Sequence, residues 1–449
     1  MKNDIFFHEN CRRFLAPACL AATLLLAACS GGGSQATPSS AAPPPTSNSG
    51  SNTSPGNNTN AGEDSATTGA PLETRSGNGA GYQPAFPNQT RAPGIRNSIA
   101  FDVQTVASGL DSPWAVEVLP DERFLITERP GRLRIIGADG SKSAPVQGLP
   151  AVTSQGQGGL LDVALDPQFQ SNRIIYWSYA EPRDGGNGTT LARGRLIEDA
   201  AGARLENVQV IFRQMPTFQS SLHFGSRIVF AGDGTLFLTV GERSVPAGMV
   251  QAQDLRSDFG KVIHLNADGS IPSDNPFVGR ADTLPEIWSY GHRNVQAATI
   301  DALTGRLWTV EHGPLGGDEL NHPEPGRNYG WPIISYGIDY DGTKLGEGIT
   351  ARDGMEQPVY YWDPVIAPSG MIVYRGAMFP QWQGSIFIGG LAGMKLVRLQ
   401  MDGERVAGEE WLLQERNLRI RDVQQGSDGA IYVLADGPNS SLLRLVPKN

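Results

Sequence analysis

Asp233-Gly234-Thr235-Leu236-Phe237-Leu238-Thr239-Val240 is a turn followed by a short β-branched and aromatic run. The phrase recurs. It returns as Glu122-Arg123-Phe124-Leu125-Ile126-Thr127, Asn172-Arg173-Ile174-Ile175-Tyr176-Trp177 and Thr304-Gly305-Arg306-Leu307-Trp308-Thr309-Val310. Gln383-Gly384-Ser385-Ile386-Phe387-Ile388 and Asp428-Gly429-Ala430-Ile431-Tyr432-Val433-Leu434 complete the set. Further strands follow, such as Gly131-Arg132-Leu133-Arg134-Ile135-Ile136 and Lys395-Leu396-Val397-Arg398-Leu399, and helical periodicity is hard to find after residue 98. Six hairpin units in an all-β chain predict a six-bladed β-propeller, in which radial stacking shields the sheet edges. A pair of sandwiches explains the recurring phrase less well. The units lie about 45 to 80 residues apart, so some blades must carry long loops.

The richest of those loops lie in residues 286–331, which gather three of the six histidines with Arg293, Asp318 and Glu319. Glycines and prolines among them mark loops on either side of a strand, where sites are usually built.

The ends set the context. Lys2, Arg12 and Arg13 precede an apolar run over residues 15–28, too short to span a bilayer comfortably. It ends in Leu26-Ala27-Ala28-Cys29, which resembles a bacterial lipoprotein box. That resemblance makes residues 1–29 a lipoprotein signal peptide with Cys29 as the lipid-carrying N-terminus. Ser30, in place of an acidic retention residue, favours the periplasmic face of the outer membrane. All three cysteines fall in this segment, so the rest of the chain has no disulfide and no thiolate ligand. Residues 30–97 are rich in Gly, Ser, Pro and Asn and read as a disordered tether, with a mean reach of about 45 Å. Residues 98–449 form the propeller domain. They carry 30 basic and 41 acidic residues, a net charge near −11 that argues against nucleic acid or an anionic membrane surface as the main partner.

Several loop motifs could carry chemistry. His223, in Ser221-Leu222-His223-Phe224-Gly225-Ser226-Arg227, is a candidate general base, although a lone histidine is more often a structural hydrogen-bonder. Gly291-His292-Arg293-Asn294 sets a permanent cation beside an amide donor, suited to polarising a carbonyl, and equally to stapling a loop. Glu311-His312-Gly313-Pro314-Leu315-Gly316-Gly317-Asp318-Glu319 offers carboxylates and bent-loop carbonyls of the kind Ca²⁺ takes, without EF-hand spacing. Zinc is disfavoured because His312 and His322 are far apart and HExxH is absent. No G-x-G-x-x-G opens a strand-helix unit, which argues against NAD and FAD. Arg419-Ile420-Arg421-Asp422 alternates on a strand, so both guanidinium groups share a face and call for an anionic ligand, acidic neighbours or solvent.

Taken together and in order, these motifs resemble the soluble quinoprotein glucose/sorbosone dehydrogenase family, in its periplasmic aldose sugar dehydrogenase branch. The resemblance also rests on Gly156-Gln157-Gly158-Gly159-Leu160-Leu161 and Asn328-Tyr329-Gly330-Trp331, and it covers nearly all of residues 98–449. It implies pyrroloquinoline quinone (PQQ) and Ca²⁺ as cofactors over the propeller axis. His223 then matches the base for the sugar C1 hydroxyl, and Arg293 with Asn294 the pair at the quinone oxygen. Gln157 matches a residue at the substrate or quinone edge, and Arg419 and Arg421 match partners of the PQQ carboxylates. Gly313 and Pro314 match carbonyl ligands of the cofactor's Ca²⁺, and Asp318, Glu319 and Tyr329 a second, structural Ca²⁺ site. Electrons would pass to a quinone or a small redox protein. Two positions depart from the glucose dehydrogenase pattern: Leu222 stands where an acidic residue precedes the base, and Ala392 at a lysine position, with Lys395 nearby. Two rival readings are a metal-dependent lactonase on a six-bladed propeller and a non-catalytic propeller presenting loops to a surface ligand.

Overall fold

The computed structural model describes residues 67–96 and 99–448, and these are built almost entirely of antiparallel strands. Six sheets follow one another along the chain. Blade I holds Pro113–Val118, Phe124–Glu128 and Arg132–Ile136; blade II holds Leu160–Leu165, Ile174–Arg183, Gly186–Asp199 and Gly202–Arg213. Blade III is Ile228–Phe230, Leu236–Val240, Lys261–Leu265 and Ile287–Tyr290; blade IV is Val295–Ile300, Leu307–Glu311, Asp318–Asn321 and Tyr360–Trp362. Blade V runs Pro368–Val373, Ile386–Gly390, Lys395–Asp402 and Arg405–Leu412. Blade VI, Ile420–Gln425, Ile431–Ala435 and Ser440–Pro447, takes its outer strand, Phe101–Leu110, from the start of the domain. That exchange closes the ring and leaves no free seam. The fold is the six-bladed propeller that the repeated phrase predicts, and each phrase supplies the second strand of its blade.

The core follows from this stacking. Each inner surface between neighbouring blades encloses its own apolar cluster, such as Leu125, Leu160 and Trp177 between blades I and II. Ile388, Val397 and Trp308 fill the gap between blades IV and V. Along second strands such as Phe124–Glu128, Leu236–Val240 and Ile431–Ala435 every residue is buried, so both faces of a blade meet a neighbour.

The axis is polar. Arg227 reaches across it from the start of blade III, with Nη1 2.8 Å from Asp162 of blade II and Nη2 3.2 Å from Asp422 of blade VI. Its guanidinium lies 4.4 Å from the Trp114 ring centroid. Below this plug a channel cavity is lined by residues from all six blades, Glu117 among them. Burial pushes Glu117 up to about 8, with Asp162 and Asp422 adding to it, and pushes Asp162 up to about 7. Both carboxyls hold protons more tightly in the folded state, so their contribution to stability is fully present at low pH and is lost as pH rises through the unfolded carboxyl range toward those values. Glu117→Gln is expected to flatten that decline. Denaturant titrations at about pH 5 and about pH 8 measure it, and an unchanged slope contradicts it.

One boundary differs from expectation. The tether predicted over residues 30–97 is folded from residue 67 onward: Thr67–Gly69 pairs with Gly94–Arg96, which adds to the edge of blade V. Gln89, Ala92 and Ile95 are buried there. Composition misled because a propeller already formed supplies the apolar surface that the segment lacks. The predicted signal peptide, Cys29 and residues 30–66 lie outside the described residues. Among the described residues no helix is long and apolar enough to cross a membrane.

Candidate active site

In an antiparallel blade the turn before the second strand lies at one end, while the loop after it and the crossover to the next blade lie at the other. Most of the predicted residues lie in the second set or on strands beside it, while Tyr329 lies in the long loop between the third and fourth strands of blade IV. Gln157, His223, Arg293 and Arg419 come from crossovers, and Gly313, Pro314 and Leu391 from loops after second strands. Chain segments distant in sequence therefore converge on one face of the ring.

His223 is 5% exposed and sits in the left-handed region at φ 48°, an uncommon conformation for a residue other than glycine. Its backbone N–H donates to Gln157 Oε1 at 2.8 Å. Gly241 passes so close that a Cβ there would meet the His223 carbonyl oxygen. The ring Nδ1 lies 2.7 Å from Glu242 Oε1. A carboxylate accepts, so Nδ1 carries the proton and Nε2 keeps its lone pair. Burial and the nearby Arg293 lower the imidazole's pKa, against the opposing pull of Glu242, and the neutral form prevails at neutral pH. Glu242, rather than a residue at position 222, orients this histidine. Sequence reading missed it. The only signal was a carboxylate directly after the Leu236–Val240 strand and Gly241.

Arg293 donates from Nη1 to His312 O at 3.1 Å and from Nη2 to the Tyr340 hydroxyl at 3.3 Å, leaving its buried Nε without a partner. Its backbone N–H donates to Glu311 Oε2 at 2.7 Å. Asn294 is fully buried. Its Oδ1 accepts from Gly225 N at 3.1 Å, and its Nδ2 has no partner. His312 is pushed down to about 3 by burial and the neighbouring Arg293, His223 and Arg421, and donates from Nε2 to Pro368 O at 2.7 Å.

Beside these residues opens a cavity of about 240 Å³ lined by Trp114, Arg129, Gln157, His312, Arg419 and Arg421 among others. Arg419 Nε and Arg421 Nε each donate to Asp436, at 2.9 and 3.1 Å. Burial alone would raise Asp436, yet the two guanidinium groups hold it below the usual carboxylate range. The acidic neighbour therefore exists, and the three arginines still outnumber it. Arg129, which sequence reading missed, donates to Gly156 O at 2.7 Å and keeps a buried Nε unpartnered. Lys395 takes no part. Its ammonium lies 3.0 Å from the Trp411 ring centroid, and burial lowers it to about 8.

Glu311 and Glu319 stand directly opposite each other on adjacent strands of blade IV. Like charges so placed repel, and burial together with Glu311 raises Glu319 well above the usual carboxylate range. Both line a small cavity with Gly313, Pro314 and Tyr329, beside Arg293. The carbonyls of Gly313 and Pro314 accept no hydrogen bond among the described residues. The Tyr329 hydroxyl donates to His322 O and accepts from Glu324 N, and its backbone carbonyl accepts no hydrogen bond among the described residues. Asp318 does not belong to this set. The strand pleat turns it away from Glu319, and both its oxygens accept backbone N–H groups, from Gly313, Ile366 and Ala367 at 2.7–2.8 Å. It staples blade IV to blade V. Among the described residues no group of three or more His, Cys, Asp or Glu side chains could hold a metal, so any cation here relies on carbonyls as well.

The profile of the glucose/sorbosone dehydrogenase family matches residues 110–444, three quarters of the chain. The chain belongs to this family. It is 44% identical over 353 residues to an aldose sugar dehydrogenase of Escherichia coli K12, covering 78% of this chain and 93% of that protein. A crystal structure of a glucose dehydrogenase superposes with a TM-score of 0.74 at 44% identity, covering 78% of this chain and all of the other. The PQQ-bound form of an aldose sugar dehydrogenase from Streptomyces coelicolor superposes at 0.64 with 28% identity, covering 78% of this chain and 99% of that one. As a member of the family the chain is an oxidoreductase acting on sugar CH–OH groups.

Proposed function

We propose that this protein oxidises aldose sugars at C1 to lactones, with PQQ and Ca²⁺ as cofactors and His223 as the base. The observation that carries the reading is the neutral, Glu242-oriented His223 set beside an arginine-lined cavity. The donor set suits a planar polycarboxylate quinone: Arg129, Arg419 and Arg421 would meet carboxylates, while Arg293 and the orphaned Asn294 Nδ2 would meet a quinone oxygen. Bound there, PQQ supplies a two-electron acceptor for the hydride leaving C1, with Ca²⁺ raising its electrophilicity. Gly313, Pro314, Glu319 and Tyr329, with Glu311, are the groups we assign to Ca²⁺. His223 accepts the C1 hydroxyl proton at Nε2, and Glu242 steadies the imidazolium so formed. Arg293 stabilises the negative charge that grows on its side of the cavity. A quinone or small redox protein would then accept the electrons, and Cys29 would anchor the protein to the outer membrane through lipid.

Two experiments test the parts separately. Glu242→Gln is expected to lower kcat on the order of 10²-fold or more, because the amide frees the imidazole to adopt the wrong tautomer. It should also move the acid limb of the pH profile to lower pH, since Glu242 raises the His223 pKa. An unchanged kcat and profile contradict the assigned role. Arg421→Ala is expected to weaken PQQ binding by roughly 10- to 100-fold, the range of a buried charge-assisted hydrogen bond. Calorimetric titration with PQQ measures it, and unaltered affinity removes Arg421 from the cofactor site.

The lactonase reading needs a carboxylate cage around an axial metal. The axis is occupied instead by the Arg227 guanidinium between Asp162 and Asp422.

A further inference from the structure

Residues 67–96 lie outside the part of the chain that the family profile matches. They form a loop closed at its base by the pairing of Thr67–Gly69 with Gly94–Arg96, and besides the edge of blade V they meet the propeller at the crossover from blade IV to blade V. Asp363, in the crossover from blade IV to blade V, accepts from Asn78 N at 2.8 Å, Asn78 Nδ2 at 2.9 Å and Gly79 N at 2.8 Å. Arg91 Nη2 donates to the Asp363 carbonyl at 2.7 Å. Gln89 adds further contacts: its backbone carbonyl accepts from Tyr361 N at 2.8 Å, its Oε1 from the Tyr336 hydroxyl at 3.1 Å, and its Nε2 donates to Pro358 O at 2.9 Å. Tyr336 and Tyr361 are stacked with centroids 3.9 Å apart.

Asp363 and Tyr336, with their chain neighbours Trp362 and Ile338, also hold the glycine-rich loop 313–317. Gly317 N donates to Trp362 O at 2.9 Å, and Leu315 exchanges backbone bonds with Ile338 at 3.0 Å. A Cβ on Gly316 would meet Asp363 Oδ1, and one on Gly317 would meet the backbone of residues 336 and 337. The loop is thus wedged against Asp363 on one side and Tyr336-Gly337 on the other, and the segment 67–96 fixes both. Without its three donors, the Asp363 carboxylate would stand beside Gly316 with no partner among the described residues.

We infer that residues 67–96 are a positioning strap, which holds loop 313–317 in the conformation that presents the Gly313 and Pro314 carbonyls toward a cation. The cation part rests on the function proposed above; the loop part does not. Neither Asn78 nor Arg91 reaches the cavity, so the strap acts through Asp363 and Tyr336.

The test compares the unaltered full chain, the double variant Asn78→Ala/Arg91→Ala, and Arg75→Ala, which breaks an exposed pair with Glu73 inside the strap. Backbone hydrogen exchange is followed at Leu315 and Gly317 in chelator. Calcium chloride is then titrated by calorimetry with no sugar or quinone present. The strap predicts faster exchange at both amides in the double variant alone, and calcium affinity weakened by roughly 10- to 100-fold, as for other residues that orient ligands. Melting in chelator should stay near that of Arg75→Ala. Unchanged exchange at Leu315 and Gly317 overturns the strap, and so does an equal loss of protection across all six blades, which would mark general destabilisation. If the unaltered chain takes up no calcium, the metal assignment fails and the exchange result still decides the strap.

Discussion

His223→Ala is expected to reduce turnover of any aldose substrate by roughly 10²- to 10⁴-fold while leaving PQQ affinity nearly unchanged. Removing hydride from a sugar carbon is hard while the adjoining oxygen keeps its hydrogen, and a base within hydrogen-bond reach relieves that requirement. His223 is held for such a role at three points: its backbone N–H on Gln157, its Nδ1 on Glu242, and its carbonyl against Gly241. Its imidazole is neutral because burial and Arg293 disfavour the cation. The arginines assigned to the PQQ carboxylates come from other blades, so truncating His223 leaves them in place. Steady-state rates alongside PQQ titration check both halves. Loss of PQQ binding equal to the loss of rate would make His223 a cofactor ligand, and full activity would remove it from the chemistry.

Arg227→Ala is expected to destabilise the fold by about 3–5 kcal/mol, the usual result of removing one partner from a buried ionic group. Arg227 is the one cation between Asp162 and Asp422 among the described groups at the axis. It also covers Trp114, which lines the floor of the candidate active site. Its removal leaves two carboxyls from blades II and VI facing each other across the centre. Asp162, already pushed up to about 7 by burial, would take up a proton, which offsets part of the loss at low pH. The deficit should therefore be larger at about pH 8 than at about pH 5, as urea titrations would show. A loss under about 1 kcal/mol at either pH contradicts the assignment of the axial cluster to stability.

What sequence alone revealed was local. A turn followed by a β-branched run is encoded in neighbouring residues, so every second strand was legible and the blade count followed. His223, Arg293, Asn294 and Gln157 were legible as motifs, and the fold brings them to one face. Other features depended on contacts that sequence spacing does not display. Glu242 lies 19 residues beyond the histidine it orients. Asp436 explains the paired arginines from the far end of the next strand. Asp318 and Glu319 are adjacent in the chain, yet the pleat sends one to a backbone staple and the other to a cavity. Residues 67–96 have the composition of a tether, and three buried anchors order them on a surface made elsewhere.

The proposed chemistry depends on PQQ binding in this cavity for sugar oxidation. The most direct measurement is reduction of an artificial electron-accepting dye by the purified chain, with PQQ, Ca²⁺ and a panel of aldoses each added and withheld. Dye reduction is expected only when PQQ, Ca²⁺ and an aldose are all present, with His223→Ala inactive. No turnover with any aldose, together with no PQQ binding by calorimetry, would contradict it and return the non-catalytic propeller to consideration.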